Sequence, residues 1–242
     1  MKHINLLAIA ALVVLGACSQ APSPTGYADP HEEQNRRTHR ANITLDKALI
    51  SPASDVYGQV PKPARVAVTN FSDNAGLPGV VVNKFLQGKV DDAVHNSVRF
   101  LFNSTLGLLG LFDVASDIGL EERNSDFGET LHVWGAPEGD YVVLPFFGAS
   151  TERDGIGILV DFVLNPLGYA LPTEVRHLPK AAWVVSKFGD RYDFADSVDS
   201  ILYSDGDGYS TLQLYYLDSR RYELGQVVED DELDDLYEAY DG

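Results

Sequence analysis

Apolar residues in this chain fall into stripes at helical spacing and never into a run long enough to cross a bilayer. A spanning helix needs about 20 predominantly apolar residues, so the sequence disfavours a polytopic membrane protein. The clearest stripe lies within Val90–Thr105 and consists of Val90, Ala93, Val94, Val98, Leu101, Phe102 and Thr105. Charged and amide side chains occupy the other side of the segment. This spacing predicts an amphipathic α-helix.

Most of the remaining chain also favours helices. Thr151-Glu152-Arg153-Asp154 fits a capping box that opens a helix, and Tyr141–Leu144 is typical of a short β-strand. Three prolines mark Ser51–Pro63 as a connection. The pattern predicts a mostly α single domain. One helix is expected to begin at about Glu32, and a second covers Leu77–Gly88 with Pro78 in its first turn. The other predicted helices are Val90–Thr105, Glu152–Leu164, Pro179–Tyr203 and Tyr209–Gly225.

The N-terminus has the three parts of a bacterial lipoprotein signal. A positive start is followed by the apolar run Ile4–Leu15, which is too short to span a bilayer. Small residues then lead to a single cysteine, which predicts cleavage between Ala17 and Cys18 and a diacylglycerol on Cys18. We therefore expect a signal peptide over 1–17 and a lipidated tether over 18–30. Ser19 favours the outer membrane over the inner one.

The charge of the chain is strongly acidic and unevenly distributed. Acidic residues outnumber basic ones 36 to 18, which disfavours nucleic acid as a partner because phosphate binding relies on Lys and Arg. Residues 227–242 hold eight carboxylates and no Lys or Arg. We expect 226–242 to be a disordered, solvated tail, with a specific docking tail as the alternative.

The sequence contains no recognisable catalytic or metal-binding constellation. A Gly-x-Ser-x-Gly elbow and a His-Glu-x-x-His pair are both absent. The single Cys excludes a cysteine-rich metal site and an intrachain disulfide framework. We therefore predict a protein that is not an enzyme and that has no metal and no cofactor.

Six blocks of sequence, in order between Asp29 and Gly225, resemble the MlaA/VacJ family of outer-membrane lipoproteins. The blocks are Asp29–Glu32 with Asn35, Val82–Gly88, Arg99–Ala115, Asp126–Leu131 with Trp134-Gly135, Tyr141–Gly148 with Arg153-Asp154, and Tyr215–Leu224. The family-motif positions within them are Asn35, Asn83, Gly88, Asn103, Gly107, Gly110, Asp113, Phe127, Gly128, Thr130, Trp134, Gly135, Pro145, Gly148, Arg153 and Asp154.

The resemblance implies a role in retrograde phospholipid transport. Family members form ring-like assemblies of amphipathic helices that are embedded in the periplasmic side of the outer membrane around a polar channel. They associate with a trimeric porin, remove misplaced phospholipid from the outer leaflet and pass it to a periplasmic lipid carrier of the Mla type. Two alternatives stay open: a structural, porin-associated lipoprotein without transport activity, and an envelope phospholipase.

An uncharged apolar segment, Phe100–Phe112, follows the clearest helix and is interrupted by Gly107 and Gly110. It is too short to span a bilayer, so it is either a buried hairpin or a segment that dips into lipid. Because glycine relaxes backbone constraint, we expect Leu106–Phe112 to be a flexible hairpin that controls the channel. A buried core turn is the alternative.

Replacing the lipobox cysteine tests the anchor. The Cys18→Ser variant should lose acylation and leave a soluble or unprocessed precursor, because the thiol that would receive the diacylglycerol is gone. Metabolic labelling with palmitate measures this directly. Label that persists on the variant would contradict the lipobox interpretation.

Overall fold

The computed structural model describes residues 29–203 and 207–226. Helices predominate, as the sequence predicts, and they build a single domain. In chain order the elements are α1 (Glu32–Leu45), a π-helical turn (Asp46–Ile50), α2 (Ser51–Gly58), α3 (Lys62–Leu86), α4 (Val90–Thr105), α5 (Val114–Asp117), α6 (Phe127–Val133), β1 (Tyr141–Leu144), β2 (Gly148–Thr151), α7 (Glu152–Leu164), α8 (Leu167–Ala170), α9 (Leu178–Asp193), α10 (Ala195–Leu202) and α11 (Gly208–Glu223).

Three helices form the largest packed unit. The 25-residue helix α3 packs along α4, and α9 packs against both α3 and α2. The chain turns between α3 and α4 at Gly88, whose φ is +74°. A left-handed residue there lets the two helices follow each other closely, and glycine adopts that conformation without a steric cost.

A small β-hairpin joins the two halves of the chain. Strands β1 and β2 pair antiparallel, with Tyr141 opposite Thr151 and Leu144 opposite Gly148. Alternate residues of β1 are buried, and Tyr141 and Val143 pack against Tyr209 of α11. This aromatic and aliphatic cluster is the apolar core of the described residues.

Several predicted boundaries are confirmed. Helix α4 has the predicted bounds, and α7 covers Glu152–Leu164. The Thr151 hydroxyl accepts a hydrogen bond from the amide of Asp154 at 3.2 Å, so Thr151 caps α7 as the sequence predicts. The short strand at Tyr141–Leu144 is also present.

The predictions that relied on proline as a boundary are wrong. Ser51–Pro63 is not a simple connection, because Ser51–Gly58 is helical with Pro52 in its first turn, where a missing N–H costs nothing. The helix predicted over Leu77–Gly88 begins much earlier, at Lys62, and continues through Pro78. Pro78 removes one backbone hydrogen bond, and packing against α4 and α9 supports the helix around it.

One further prediction needs correction. The single helix predicted over Pro179–Tyr203 is two helices, α9 and α10, which are separated at Phe194. At the end of the predicted tether 18–30, a carboxylate oxygen of Asp29 accepts a hydrogen bond from Asn35 at 2.9 Å. The signal peptide, Ala17, Cys18, the tether up to residue 28 and the acidic tail from residue 227 lie outside the described residues.

The close approach of α7 to α6 depends on glycine. A Cβ placed on Gly157 of α7 would lie 2.4 Å from the backbone nitrogen of Gly128 in α6. No atom lies within 4 Å of a Cβ placed on Gly79 of α3. These two helical glycines therefore differ in the space that surrounds them.

We expect Gly157→Ala to destabilise the protein by about 1–3 kcal/mol, because the added methyl group overpacks the α6–α7 contact. The matched Gly79→Ala variant should stabilise it by roughly 0.5–1 kcal/mol, because alanine is the better helix former. Thermal unfolding of the purified variants in detergent measures both. Equal shifts would show that the α6–α7 approach does not limit packing.

Candidate functional site: a polar interior within an apolar surface

The interior of this protein is mainly polar. Among the described residues other than glycine, twenty buried side chains are polar or charged and eight are apolar. Large apolar side chains are instead widely exposed, including Leu101 at 59%, Leu159 at 70% and Phe162 at 59%. Water-soluble domains bury their apolar surface, so this distribution is the reverse of what an aqueous surface requires.

Helix α4 shows the reversal on a single element. Asn96, Arg99 and Asn103 are buried, with exposed fractions of 0%, 3% and 3%. Val94 and Leu101, on the apolar stripe, are exposed at 52% and 59%. The polar side of this amphipathic helix therefore faces the protein, and part of its apolar stripe faces outward.

The buried side of α4 binds the segment that follows it. Asn103 donates to a carboxylate oxygen of Asp113 at 2.8 Å and accepts from the amide of Ala115 at 2.9 Å. Arg99 forms an ion pair with Asp113 at 3.2 Å. Burial by itself raises the pKa of Asp113, but hydrogen bonds from Ser116 and Asn103 and the charge of Arg99 outweigh it, so the pKa lies below its usual value.

A second polar cluster joins α3, α6 and α7. The Thr130 hydroxyl donates to Asn83 at 2.9 Å, and the Asn83 amide donates to Asp161 at 2.8 Å. The other carboxylate oxygen of Asp161 accepts from the backbone amide of Phe127 at 2.8 Å. Burial dominates here and raises the pKa of Asp161.

A third cluster is centred on Arg220 of α11. Its guanidinium forms ion pairs with Asp126 at 2.7 Å and with Asp154 at 3.1 Å. Arg153 also pairs with Asp154, at 3.2 Å. A Cβ on Gly128 would lie 2.4 Å from a carboxylate oxygen of Asp154, so a glycine at this position leaves the space that the Asp154 side chain occupies.

The three clusters bring together half of the motif positions that the resemblance singled out. Asn103 and Asp113 meet in the first cluster, while Asn83, Phe127 and Thr130 meet in the second. Gly128, Arg153 and Asp154 meet in the third. The first cluster holds α4 to the segment that follows it, whereas the second and third join segments that lie far apart in the sequence.

Two exposed carboxylates have perturbed pKa values. The side chains of Asp73 on α3 and Glu122, before α6, are both exposed, yet partial desolvation by the surrounding protein raises the pKa of each. The charge of Asp73 also raises the pKa of Glu122. The charges of Asp113 and Lys187 act on Asp73 as well. Charged groups of α3, α9 and the segment after α4 therefore influence one another.

The segment Leu106–Phe112, here the 106–112 turn, is not a buried core turn. Its five large apolar side chains are exposed by 40–70%, with Leu109 the most exposed. Gly107 and Gly110 are required for close approach, since a Cβ on Gly107 would lie 2.2 Å from the carbonyl oxygen of Phe112. Leu108 and Leu109 have φ values of 51° and 63°, which cost about 1–2 kcal/mol per residue for a side chain with a Cβ.

The remaining motif positions lie at turns and at the β-hairpin. The Asn35 side chain donates to the carbonyl of Tyr141 at 2.9 Å and accepts from the amide of Val143 at 2.8 Å, so it fixes β1 on α1. Pro145 lies between the strands and lines an open apolar groove of about 580 Å³ beside α7. The left-handed glycines among these positions are Gly88, Gly135 and Gly148.

Trp134 lies at the end of α6 and is 55% exposed. Its indole nitrogen donates to the carbonyl of Leu86 at 3.0 Å, and its ring meets that of Phe127 edge-on at 5.7 Å. Trp134 thus ties the end of α6 to the end of α3 while it adds to the exposed apolar surface.

Sequence analysis did not single out four charged residues of this interior: Asp73, Arg99, Asp161 and Arg220. Asp161 carried a usable signal, because it is the one carboxylate beyond the first turn of the apolar helix Glu152–Leu164. Arg99 lies on the polar side of an amphipathic helix, where solvent exposure is the default expectation. Nothing in the sequence spacing pairs Arg220 with Asp154, because the two are 66 positions apart.

Comparison with known proteins fits this geometry. A sequence profile of the MlaA lipoprotein family matches residues 27–223. The chain belongs to the MlaA lipoprotein family. It is 31% identical over 220 residues to the Escherichia coli K12 protein named intermembrane phospholipid transport system lipoprotein MlaA, covering 88% of this chain and 85% of that protein.

Other relatives extend the MlaA comparison. An uncharacterized protein of Rickettsia prowazekii is 34% identical over 189 residues, which cover 76% of this chain and 73% of that protein. A solved structure, described as the structural basis for maintenance of bacterial outer membrane lipid asymmetry, matches with a TM-score of 0.70 at 31% identity. The match covers 81% of this chain and 99% of that one.

The described part of this MlaA-family chain lacks two kinds of feature. Among residues 29–203 and 207–226, no helix has both the length and the apolar character needed to cross a membrane. The same residues contain no group of three or more His, Cys, Asp or Glu side chains that are placed to hold a metal ion. The polar clusters therefore remain the feature of the described structure that needs a functional account.

The third cluster predicts a specific dependence of stability on pH. Burial by itself raises the pKa of Asp154, but the hydrogen bonds and charge of Arg220 outweigh it and hold the pKa below its usual value of about 4. A lowered folded-state pKa stabilises the protein above the unfolded-state pKa, and this contribution is lost as the pH falls through the folded-state value.

We expect Asp154→Asn to lose about 3–5 kcal/mol of stability at pH 7, because Arg220 and Arg153 lose a buried partner. The difference from the wild type should shrink below about pH 4, where Asp154 takes up a proton. Denaturant unfolding between pH 3 and pH 8 measures it. The control variant, Asp126→Asn, removes a half-exposed partner of Arg220 and should reduce the stability less. A stability difference between Asp154→Asn and the wild type that does not vary with pH would contradict an ionised Asp154–Arg220 pair.

Proposed function

We propose that this protein removes misplaced phospholipids from the outer leaflet of the outer membrane and passes them to a periplasmic carrier, so that the lipid asymmetry of the membrane is maintained. The observation that carries the proposal is the polar interior within an apolar surface. Membership in the MlaA lipoprotein family, whose Escherichia coli relative is named for intermembrane phospholipid transport, supports it.

The physical basis is solvation of the lipid headgroup. A charged or polar group costs several kcal/mol when it enters hydrocarbon without a partner. We infer that the exposed carboxylates Asp73 and Glu122 mark a water-filled recess, which offers a headgroup water and polar side chains while the exposed apolar surface stays in contact with acyl chains. This lowers the barrier to headgroup movement without breaking a covalent bond, so we propose a transporter and not an enzyme.

The arrangement in the membrane follows from the same distribution. We propose that the amphipathic helices form a ring-like assembly embedded in the periplasmic side of the outer membrane, anchored by a diacylglycerol on Cys18. The exposed apolar side chains of these helices support this arrangement, because hydrocarbon solvates them better than water does. A trimeric porin and a lipid carrier of the Mla type are the proposed partners.

A structural role, in which the lipoprotein binds porin without moving lipid, remains the second candidate. It accounts for the apolar exterior but gives no role to a polar recess that water reaches. The two functions differ in what happens to the outer leaflet when the protein is absent.

A deletion strain separates the two functions. Outer-leaflet phospholipid should rise in the deletion strain and return to normal when the wild-type gene is restored. Glu122→Leu should restore the normal phospholipid level poorly, because it places an apolar side chain in the path of the headgroup. An increase of about 1.4 kcal/mol in the barrier slows headgroup passage roughly tenfold. Labelling of surface-accessible phospholipid measures the level.

The adjacent carboxylate provides the control. Glu121 is also exposed, and Glu121→Leu should restore asymmetry as the wild type does. Membrane levels of both variants are compared by immunoblotting. Normal outer-leaflet composition in the deletion strain would favour the structural lipoprotein and contradict transport.

A further inference from the structure

A small pocket lies between α1 and the start of α11, encloses about 230 Å³ and is open to solvent. The opposite wall to α1 comes from the end of α10 and from residues 207–209. Residues three, four and seven positions apart share one face of a helix, and one such face of α1 lines the pocket. The residues of that face are Arg36, His39, Arg40 and Ile43.

His39 is the buried polar group of this pocket. It is 6% exposed, and neither ring nitrogen has a hydrogen-bond partner within residues 29–203 and 207–226. Its ring meets that of Tyr209 edge-on at 5.6 Å, so packing holds the imidazole in place. A desolvated polar group without a partner is unfavourable. Its position in the pocket wall therefore points to a ligand that supplies the missing hydrogen bond.

The positive charges of the pocket are only partly neutralised. Arg36 forms ion pairs with Glu32 and Asp207, each at 2.7 Å. Two hydrogen bonds, at 2.8 and 2.7 Å, bind the Asp207 carboxylate to Arg36, so this carboxylate is already matched by a cation. Arg40 is exposed and has no ion pair with any other described residue. Arg40 therefore supplies a charge that an incoming anion can neutralise.

The start of α11 adds to the preference for an anion. Gly208 is the first residue of this 16-residue helix and lines the pocket, so the positive end of the helix dipole lies there. Burial, together with the charges of Arg36 and Arg40, lowers the pKa of His39 against the opposing charge of Asp207. At neutral pH the ring is therefore uncharged and carries one N–H donor.

We propose that this pocket binds a phosphate group, with Arg40 as its ion-pair partner and the ring N–H of His39 as a hydrogen-bond donor. Arginine and a helix N-terminus are donors that suit phosphate oxygens, and the imidazole N–H adds a third. Ile43 and Leu202 give the pocket an apolar edge, which fits a phosphate carried by a lipid headgroup. A free phosphate in solution offers the same oxygens. The site is separate from the three polar clusters, and binding there does not depend on the proposed transport.

Nuclear magnetic resonance of the His39 ring tests the site. The full-length lipoprotein is purified in a maltoside detergent and a phosphate-free buffer, and the ring signals are assigned by their loss in His39→Gln. The probes are inorganic phosphate, a short-chain phosphatidylglycerol and the matching diacylglycerol, which has the tails but no phosphate. The phosphate-bearing probes should shift the ring signals and raise the pKa of His39, because a nearby negative charge favours the protonated ring. The diacylglycerol should do neither.

Two arginines of α1 provide the matched comparison. Arg40→Gln should weaken phosphate binding roughly tenfold or more, because it removes a charge-assisted bond. Arg37 is also exposed, but it pairs with Glu33 at 3.3 Å and does not line the pocket, so Arg37→Gln should leave the affinity unchanged. Both side chains lie on the surface, so we expect both variants to fold.

Thermal unfolding gives a second readout that needs no assignment of the His39 signals. A ligand that binds the folded state raises the unfolding temperature. Phosphate should therefore raise this temperature for the wild type and Arg37→Gln by more than it does for Arg40→Gln.

The affinities of the two phosphate probes identify where the phosphate comes from. Tighter binding of phosphatidylglycerol than of inorganic phosphate assigns a lipid headgroup, whereas equal or weaker binding assigns a free phosphate, and either result supports the site. The site is overturned if neither probe changes the His39 signals or the unfolding temperature at millimolar concentration. It is also overturned if the diacylglycerol acts as phosphatidylglycerol does, or if the two arginine variants bind phosphate equally.

Discussion

A buried polar side chain must find a hydrogen-bond partner, and this requirement organises most of the structure. Arg99, Asn103 and Asp113 satisfy one another, and Arg220 satisfies Asp154 across 66 positions of sequence. Loss of one partner costs more than the intact pair contributes, because it leaves a desolvated group alone. The helices are therefore positioned largely by polar contacts, while the apolar core is small, and its main cluster lies beside the β-hairpin.

The same requirement determines the outer surface. An amphipathic helix that turns its polar side inward presents its apolar side outward, as α4 does with Val94 and Leu101. In water such a surface would associate, whereas hydrocarbon solvates it. The polar interior and the apolar exterior are thus one arrangement seen from two sides, and it suits a protein that handles molecules with a polar head and apolar tails.

The 106–112 turn is a strained part of this arrangement. Its backbone is left-handed at two leucines, its side chains are exposed, and its bonds to α3 come from two amide groups. The segment that follows the turn joins the polar cluster of Arg99 and Asn103 through Asp113. The turn therefore connects the exposed apolar surface to the polar interior.

The sequence by itself determined where several helices lie and which residues share a face, because helical periodicity is a local property. It predicted α4, α7 and β1, and the ordered motif blocks identified the family. Only the tertiary structure decided that the polar face of α4 points inward and that α3 continues through Pro78. Periodicity shows that a helix has two unlike faces, but which of them faces the protein depends on partners contributed by other segments and on the medium outside.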